Sequence, residues 1–388
     1  MKRLAIVTTH PIQYNAPLFE LLSQRKKITL KVFYTWGESV LKEKFDPGFG
    51  KIIQWDIPLL KGYDYEFIEN IAKDKGSHHF KGIDNPHIIE AIEQFKPDAL
   101  LVYGWSFKSH LKILRYFKNK IPVFFRGDST LLDENGFLES IKRNLFLRWI
   151  YKHVDVAFYV GKNNFDYFRK AGLKKKQLVL ASHAVDNERF ECNTTDCKIN
   201  AALFRQKLQI PQDDFVLLYA GKLEEVKNPA IIPEAFLLAQ LNHNVHLVMV
   251  GNGVLEKELK DRYAQHPGIH FMDFQNQLLM PSVYEMADVF ILSSRSETWG
   301  LSVNEAMANG KAIIVSHKCG CAVDLVENEE NGYIFDATDV TDLANKMQAI
   351  FKSDETLQKM KEESRYKIKL FSLKRLALVI EQKMIELS

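Results

Sequence analysis

The chain has 388 residues, 46% hydrophobic and 26% charged, which is enough apolar material for two cores of ordinary size and excludes a disordered or fibrous protein. No apolar run approaches the roughly 20 residues that cross a bilayer, and the apolar part of the start, Leu4 to Val7, is too short for a secretory leader. The net charge of +3 hides an uneven distribution: residues 1–190 hold 31 Lys and Arg against 21 Asp and Glu, and residues 191–388 hold 21 against 28.

In the first half, apolar runs near Leu4–Thr8, Thr29–Thr35, Ala99–Tyr103, Pro122–Phe125 and Val154–Tyr159 alternate with helical patterns. That alternation predicts a parallel sheet covered by helices. The first run leads into Thr9-His10-Pro11-Ile12-Gln13-Tyr14, which holds no glycine and so cannot make the pyrophosphate turn of a dinucleotide-dependent dehydrogenase. Stretches 105–118 and 141–152 mix Lys and Arg with aromatic residues in an amphipathic pattern. Their apolar stripes read either as plain core or, through their basic faces, as contacts with an anionic membrane surface. The polar stretch 191–214 reads as a linker, separating a domain at 1–190 from a second at 215–365. Strands are expected there near Phe215–Ala220, Val245–Val250, Ile269–Met272, Val289–Ser293 and Ala312–Val315. Residues 366–388 read as a final helix. Cys192, Cys197, Cys319 and Cys321 match neither a zinc spacing nor a disulfide framework, so reduced thiols, a cytoplasmic protein and no metal site are expected.

The densest chemical signal follows the Val289 strand. Glu297 and Glu305 lie eight residues apart around Trp299-Gly300-Leu301, just past a strand end and at the start of a helical pattern. Free amides and the helix dipole at such a start favour an anion, and ligands of open α/β sheets bind at that edge. A second reading stays open, because Ser302-x-x-Glu305 also fits a capping box. After the Phe215 strand come Lys222 and Lys227, with Asn228 placed to cap a helix opened by Pro229. Fixed cations beside a departing diphosphate stabilise the transition state more than the ground state. Gly251 and Gly253 follow the Val245 strand, and Phe274 the Ile269 strand.

Across residues 215–336 these motifs resemble the retaining glycosyltransferases of the GT-B fold, in particular the large family 4 with its Glu-x7-Glu motif. Trp299-Gly300-Leu301 stands where that family commonly has Phe-Gly-Leu, Lys222 replaces its usual arginine and Asn228 its usual glycine. The resemblance implies two Rossmann-like, doubly wound α/β domains with a cleft between them and a C-terminal helix crossing back to the first. By it Glu297 contacts the donor sugar, Leu301 and its neighbours offer backbone amides, Glu305 binds the ribose, and Lys222 and Lys227 hold the diphosphate. Gly251, Gly253, Phe274, Trp299 and Gly300 complete the expected donor site. On the acceptor side, Arg126-Gly127-Asp128 occupies the loop where many members carry a histidine. Arg126 and Asp128 read equally as phosphate binder and proton acceptor or as a structural turn. His10, Gln13 and His183 are further acceptor-side candidates.

The implied activity is transfer of a hexosyl group from a UDP- or GDP-sugar to a glycan or lipid-linked glycan in cell-envelope polysaccharide synthesis. No cofactor and no metal are expected, since the two lysines supply the charge a metal would otherwise provide. The implied partners are the nucleotide sugar, the acceptor and an anionic membrane surface, with no nucleic acid. The implied location is the cytoplasm, peripheral at the inner face of the membrane. A nucleotide-sugar epimerase or phosphorylase on the same fold, and a binding protein that has lost its chemistry, are the alternatives.

Overall fold

The computed structural model describes residues 1–38, 44–46, 51–133, 137–351 and 353–387. Its strands in chain order are β1 (Arg3–Thr8), β2 (Thr29–Tyr34), β3 (Lys44–Asp46), β4 (Lys51–Ile53), β5 (Asp64–Phe67), β6 (Ala99–Tyr103), β7 (Val123–Arg126), β8 (Val156–Tyr159) and β9 (Leu178–Leu180). They continue as β10 (Phe215–Ala220), β11 (Val245–Val250), β12 (Ile269–Met272), β13 (Val289–Leu292), β14 (Ala312–Ser316) and β15 (Gly332–Phe335). The chain divides into two compact units. One comprises Met1–Lys44, Pro58–His183 and Leu373–Ser388, the other Phe45–Ile57 and Ala184–Ser372.

The first unit holds a seven-stranded parallel sheet in the order β5-β2-β1-β6-β7-β8-β9. Its central strands are apolar on both faces, with Ile6 in register with Val32 and Leu101, as a sheet covered on both sides requires. The second unit holds a six-stranded parallel sheet, β12-β11-β10-β13-β14-β15, with Leu217 opposite Leu247 and Val289. In each sheet the strand order reverses beside one strand, β1 or β10. At such a reversal the loops leaving neighbouring strands diverge and open a crevice at the carboxyl edge.

The long central strands lie where their apolar runs place them. β5, β9 and β15 escape the pattern because they are edge strands of only three or four residues, too short for a period to show.

The stretch 191–214, expected as a linker, instead contains the helix Thr195–Lys207 within the second unit. Thr194, read there as linker polarity, caps it by accepting from the Cys197 amide at 3.2 Å. Buried Arg205 fastens the helix to carbonyls of Met286, Pro211, Gln212 and Asp214. The expectation of four reduced thiols also needs correction, because Cys192 and Cys197 are joined by a disulfide. The left-handed residue Cys192, at φ 51°, turns the chain toward that helix, and the two Cα atoms lie 5.5 Å apart. Cys319 and Cys321 are free and buried.

The expected final helix is two. Asp354–Ile368, capped by Ser353, stays with the second unit, and Leu373–Ile385 belongs to the first. There it packs along the helix Ala16–Arg25, and Arg25 forks onto the Glu381 carboxylate at 2.8 and 3.0 Å. Among the described residues no helix is long and apolar enough to cross a membrane.

Candidate functional site

At the crossover of the second sheet, the loops leaving β10 and β13 face one another and bring together residues 70 apart in sequence. The Lys227 ammonium donates to the Glu297 carboxylate in a half-buried ion pair. Lys227 ends a 3₁₀ turn, Glu225–Lys227, and the next residue, Asn228, is left-handed at φ 52°. Asn228 is therefore not the helix cap expected from Asn228-Pro229, since the following helix, Ile231–Ala239, starts after Ala230. Asn tolerates that conformation better than most residues, which accounts for its standing where the resembling family has glycine. Its amide donates to the Ala337 carbonyl at 3.0 Å, and the Ser293 hydroxyl lies 2.9 Å from the carbonyls of both Lys227 and Asn228. The lysine is thus placed by a buried serine and asparagine.

Glu297 is held from the other side. Its carbonyl accepts from the Gly320 amide at 2.9 Å, and Ser294 Oγ lies 3.5 Å from its carboxylate. A side chain at Gly320 would put Cβ 1.9 Å from the Thr298 carbonyl oxygen, so only glycine permits that approach. Gly300 takes φ 104° and is the N-cap position of the helix Leu301–Ala308, leaving Leu301 at its first turn.

The capping-box reading of Glu305 does not hold. The cap is Gly300 and Ser302 lies inside the helix, so the capping box is not formed. The Glu305 carboxylate is instead only 3% exposed and accepts from the Tyr284 hydroxyl at 2.7 Å.

Gly251 and Gly253 have a packing reason. A Cβ at Gly251 would stand 1.9 Å from the Gly221 carbonyl oxygen, and one at Gly253 2.4 Å from that of Leu223. These glycines let the loop after β11 lie against the loop that carries Lys222 and Lys227. Buried Asn252 between them accepts from the Phe274 amide at 3.0 Å and donates to Glu256 and Asp273. Trp299, expected in the donor site, has its indole enclosed and donating to Asn304 Oδ1 at 2.8 Å, because that hydrogen bond and the core beside Phe371 draw it inward. Ser293, Asn252 and Tyr284 carry positioning roles that no local spacing announced. Most of their partners lie on distant helices and loops.

In the first unit, Arg126 is turned inward. It is buried, and its guanidinium donates to the carbonyls of Ala181 at 2.6 Å and Ser182 at 3.3 Å. Burial lowers its pKa below the usual arginine value. It clamps the segment after β9 to β7, which is the structural alternative for the Arg126-Gly127-Asp128 turn. Asp128 Oδ2 lies 3.7 Å from His183 Nε2, and burial lowers the His183 pKa with the carboxylate opposing it. His10 accepts or donates at Thr9 Oγ1, 2.9 Å away, and meets Trp36 edge-on. Gln13 lies in the half-buried turn before the helix Ala16–Arg25, with His10 on the loop that leaves β1.

The two basic-aromatic stretches differ. Helix Lys108–Phe117 turns Leu111, Ile113, Leu114 and Phe117 into the core. Helix Phe137–Tyr151 buries Leu147, Ile150 and Tyr151 but leaves Leu145 62%, Phe146 48% and Trp149 37% exposed, beside exposed Lys142, Arg143, Arg148 and Lys152.

Residues 200–367 match the sequence model of the family described as "Glycosyl transferases group 1". The Arabidopsis thaliana "Sulfoquinovosyl transferase SQD2" is 22% identical over 289 residues, covering 70% of this chain and 53% of that protein. The Campylobacter jejuni "N,N'-diacetylbacillosaminyl-diphospho-undecaprenol alpha-1,3-N-acetylgalactosaminyltransferase" is 24% identical over 243 residues, covering 61% of this chain and 63% of that one. This chain thus spans less than two thirds of either relative's length. Among solved structures, Anabaena Alr3699/HepE in complex with UDP and glucose superposes with a TM-score of 0.71 at 16% identity, covering 99% of this chain and all of that one. The two parallel-sheet α/β units have the architecture of the GT-B fold.

Proposed function

We propose that this chain is a retaining, metal-independent glycosyltransferase that moves a hexosyl group from a UDP- or GDP-sugar to a hydroxyl of a glycan or lipid-linked glycan. The observation that carries the reading is the Lys227–Glu297 pair at the crossover of the second sheet, beside the helix start at Gly300 and Leu301. A sugar diphosphate presents to that pair what each partner lacks: hydroxyl donors for the carboxylate and an anion for the ammonium. Its entry exchanges the internal pair for two ligand contacts, so neither charge is left bare in a half-buried site. Leu301 and the following amides offer N–H groups to the diphosphate, and Glu305, oriented by Tyr284, accepts the ribose hydroxyls. Lys222 adds a second cation on the β10 loop.

As the sugar–oxygen bond breaks, charge grows on the diphosphate, where Lys227 stabilises it more than in the ground state. Attack from the front face through an oxocarbenium-like state then retains configuration without a covalent carboxylate intermediate. The acceptor proton passes to the departing phosphate. The name of the Campylobacter relative, with its diphospho-undecaprenol acceptor, supports a lipid-linked acceptor here, and the UDP and glucose bound to HepE support a UDP-hexose. The exposed Leu145, Phe146 and Trp149 among lysines and arginines support reversible contact with an anionic membrane, at the inner face of the cytoplasmic membrane. Each basic residue near such a surface contributes about 1 kcal/mol.

Thermal unfolding across a panel of nucleotide sugars tests the donor assignment, because a ligand of the native state raises Tm by mass action. A shift with one UDP- or GDP-sugar, kept in EDTA, is expected. No shift with any of them sinks the reading. Flotation with anionic against neutral liposomes tests the membrane contact, and equal failure with both at low salt removes it.

A further inference from the structure

The loop leaving β5 at the carboxyl edge of the first sheet, residues 68–87, presents Asp74, His78 and His79 together at its exposed tip. His78 Nε2 lies 3.1 Å and His79 Nε2 3.3 Å from the same carboxylate oxygen, Asp74 Oδ2. The three ligand atoms all lie within 4.8 Å of one another. An ion bound at about 2.0–2.2 Å by two imidazole nitrogens and a carboxylate oxygen in tetrahedral geometry holds its ligands roughly 3.3–3.6 Å apart. The His79 separation of 3.3 Å reaches that edge length and the His78 separation of 3.1 Å falls just short of it. The loop beneath them is preorganised. The Gly76 amide donates to the Gly82 carbonyl and the Gly82 amide to the His79 carbonyl, both at 3.1 Å. A Cβ at Gly82 would stand 2.1 Å from the Gly76 oxygen, so the turn folds back this tightly only with glycine there, and a Cβ at Gly76 would stand 2.4 Å from His78 Nδ1, in the space the imidazole occupies. Buried Asn70 ties the base together, donating to the Gly82 carbonyl at 2.9 Å and accepting from the amides of Ala72 and Asp84. Exposed histidine–carboxylate pairs contribute little by themselves, yet here the folded-back turn brings both rings to one residue, with His79 Nε2 lying 3.1 Å from the Asp74 carbonyl oxygen as well as near its carboxylate.

We propose that Asp74, His78 and His79 form a three-ligand site for a borderline divalent transition metal, Zn²⁺ foremost, which clips the tip of this loop. Two imidazole nitrogens select such an ion over Mg²⁺ or Ca²⁺, which take oxygen ligands. The fourth position is open to water or to an incoming group. This site is separate from the transfer chemistry proposed above, and its test reads metal content, not turnover.

The untagged full chain, stripped with EDTA and dialysed against Zn²⁺, is expected to retain one more equivalent of zinc than the His78→Gln/His79→Gln variant. Glutamine keeps an amide N–H for the hydrogen bond to Asp74 but ligates zinc poorly, so the variant removes ligation and spares the hydrogen-bonded turn. Loss of even an outer partner of a metal ligand weakens binding about 10–100-fold, so affinity at this site falls by at least about tenfold in the variant. Zinc also slows amide exchange in residues 68–87 of the parent and leaves the variant unchanged. Asp74→Asn, which removes only the anionic ligand, is the second variant should the first not fold, and it too loses the equivalent. Equal zinc content in parent and variants, no retained zinc in the parent, or displacement of the zinc by excess Mg²⁺ overturns the proposal.

Discussion

The two sheets reverse strand order in the same way, yet their crossover edges are furnished differently. In the second unit the edge presents charge: Lys227 and Glu297 meet there, with Lys222 on the same loop. In the first unit Arg126, at the end of β7, is drawn inside and held by carbonyls. Beneath that edge lies a neutral network. His110 Nδ1 donates to the carbonyls of Tyr103 and Gly104, its Nε2 faces the Thr35 hydroxyl at 2.9 Å, and Asn85 donates to the Thr35, Ile68 and Glu69 carbonyls. One topology therefore supports an edge that carries an ion pair and another braced by buried polar groups. Topology sets where a ligand binds, and the loops decide whether charge is available there.

The sharpest way to break this contrast is Lys227→Ala. Removing one preorganised electrostatic contact to a developing anion costs about 10²–10³ in turnover, or about 3–4 kcal/mol, so kcat should fall by that much in donor-saturated assays, while EDTA leaves the parent's rate unchanged. A variant with normal kcat, or a parent silenced by EDTA and restored by Mg²⁺ or Mn²⁺, removes the lysine from the chemistry.

The first unit's edge should answer to acid. Burial pushes the His110 pKa down to about 4, with the two carbonyls opposing it. The folded state therefore binds fewer protons than the unfolded chain, whose histidine titrates near 6.5. Stability from this group is complete above that value and is lost as pH falls through it, by roughly 3 kcal/mol at pH 4. His110→Gln, which does not titrate, should flatten urea-derived stability between pH 6.5 and 4. Identical acid profiles for the two proteins would remove the neutral-network account.

Glu305→Ala tests whether the second edge extends to the ribose. Hydrogen bonds to a charged group contribute roughly 1.5–3 kcal/mol, so calorimetric titration with the nucleoside diphosphate should show a Kd raised roughly 10–100-fold. Unchanged affinity would leave Glu305 as a buried partner of Tyr284 alone.

The smallest effect belongs to Arg126→Lys. Lysine keeps the charge but loses the fork that reaches two carbonyls, so stability should fall by about 1 kcal/mol with kcat unchanged. A large loss of turnover with intact stability would return Arg126 to the reacting groups and erase the contrast between the edges.

Much of this was legible in the chain before any coordinates. Continuous apolar runs marked the central strands because a strand buried on both faces must be apolar throughout. The loop with Glu297, Gly300 and Glu305 was visible because its residues are neighbours in sequence. The edge strands β5, β9 and β15 were not, since segments of three or four residues carry no distinctive period. The helix Thr195–Lys207 was hidden by the polar residues that cap it, which read equally well as a linker.

The sequence by itself determined the alternation of strand and helix, the two-sheet architecture and the chemical types gathered after β10 and β13. Each is encoded in local pattern, and local pattern survives without knowledge of the fold. Tertiary structure alone decided that Lys227 meets Glu297, that Arg126 turns inward while Asp128 stays beside His183, that Trp299 is enclosed, and that Cys192 and Cys197 pair. Those outcomes depend on which strands lie side by side and on whether a backbone turn aims a side chain at solvent or core. Sheet order is set by the packing of all the strands and helices together, so no window of sequence contains it.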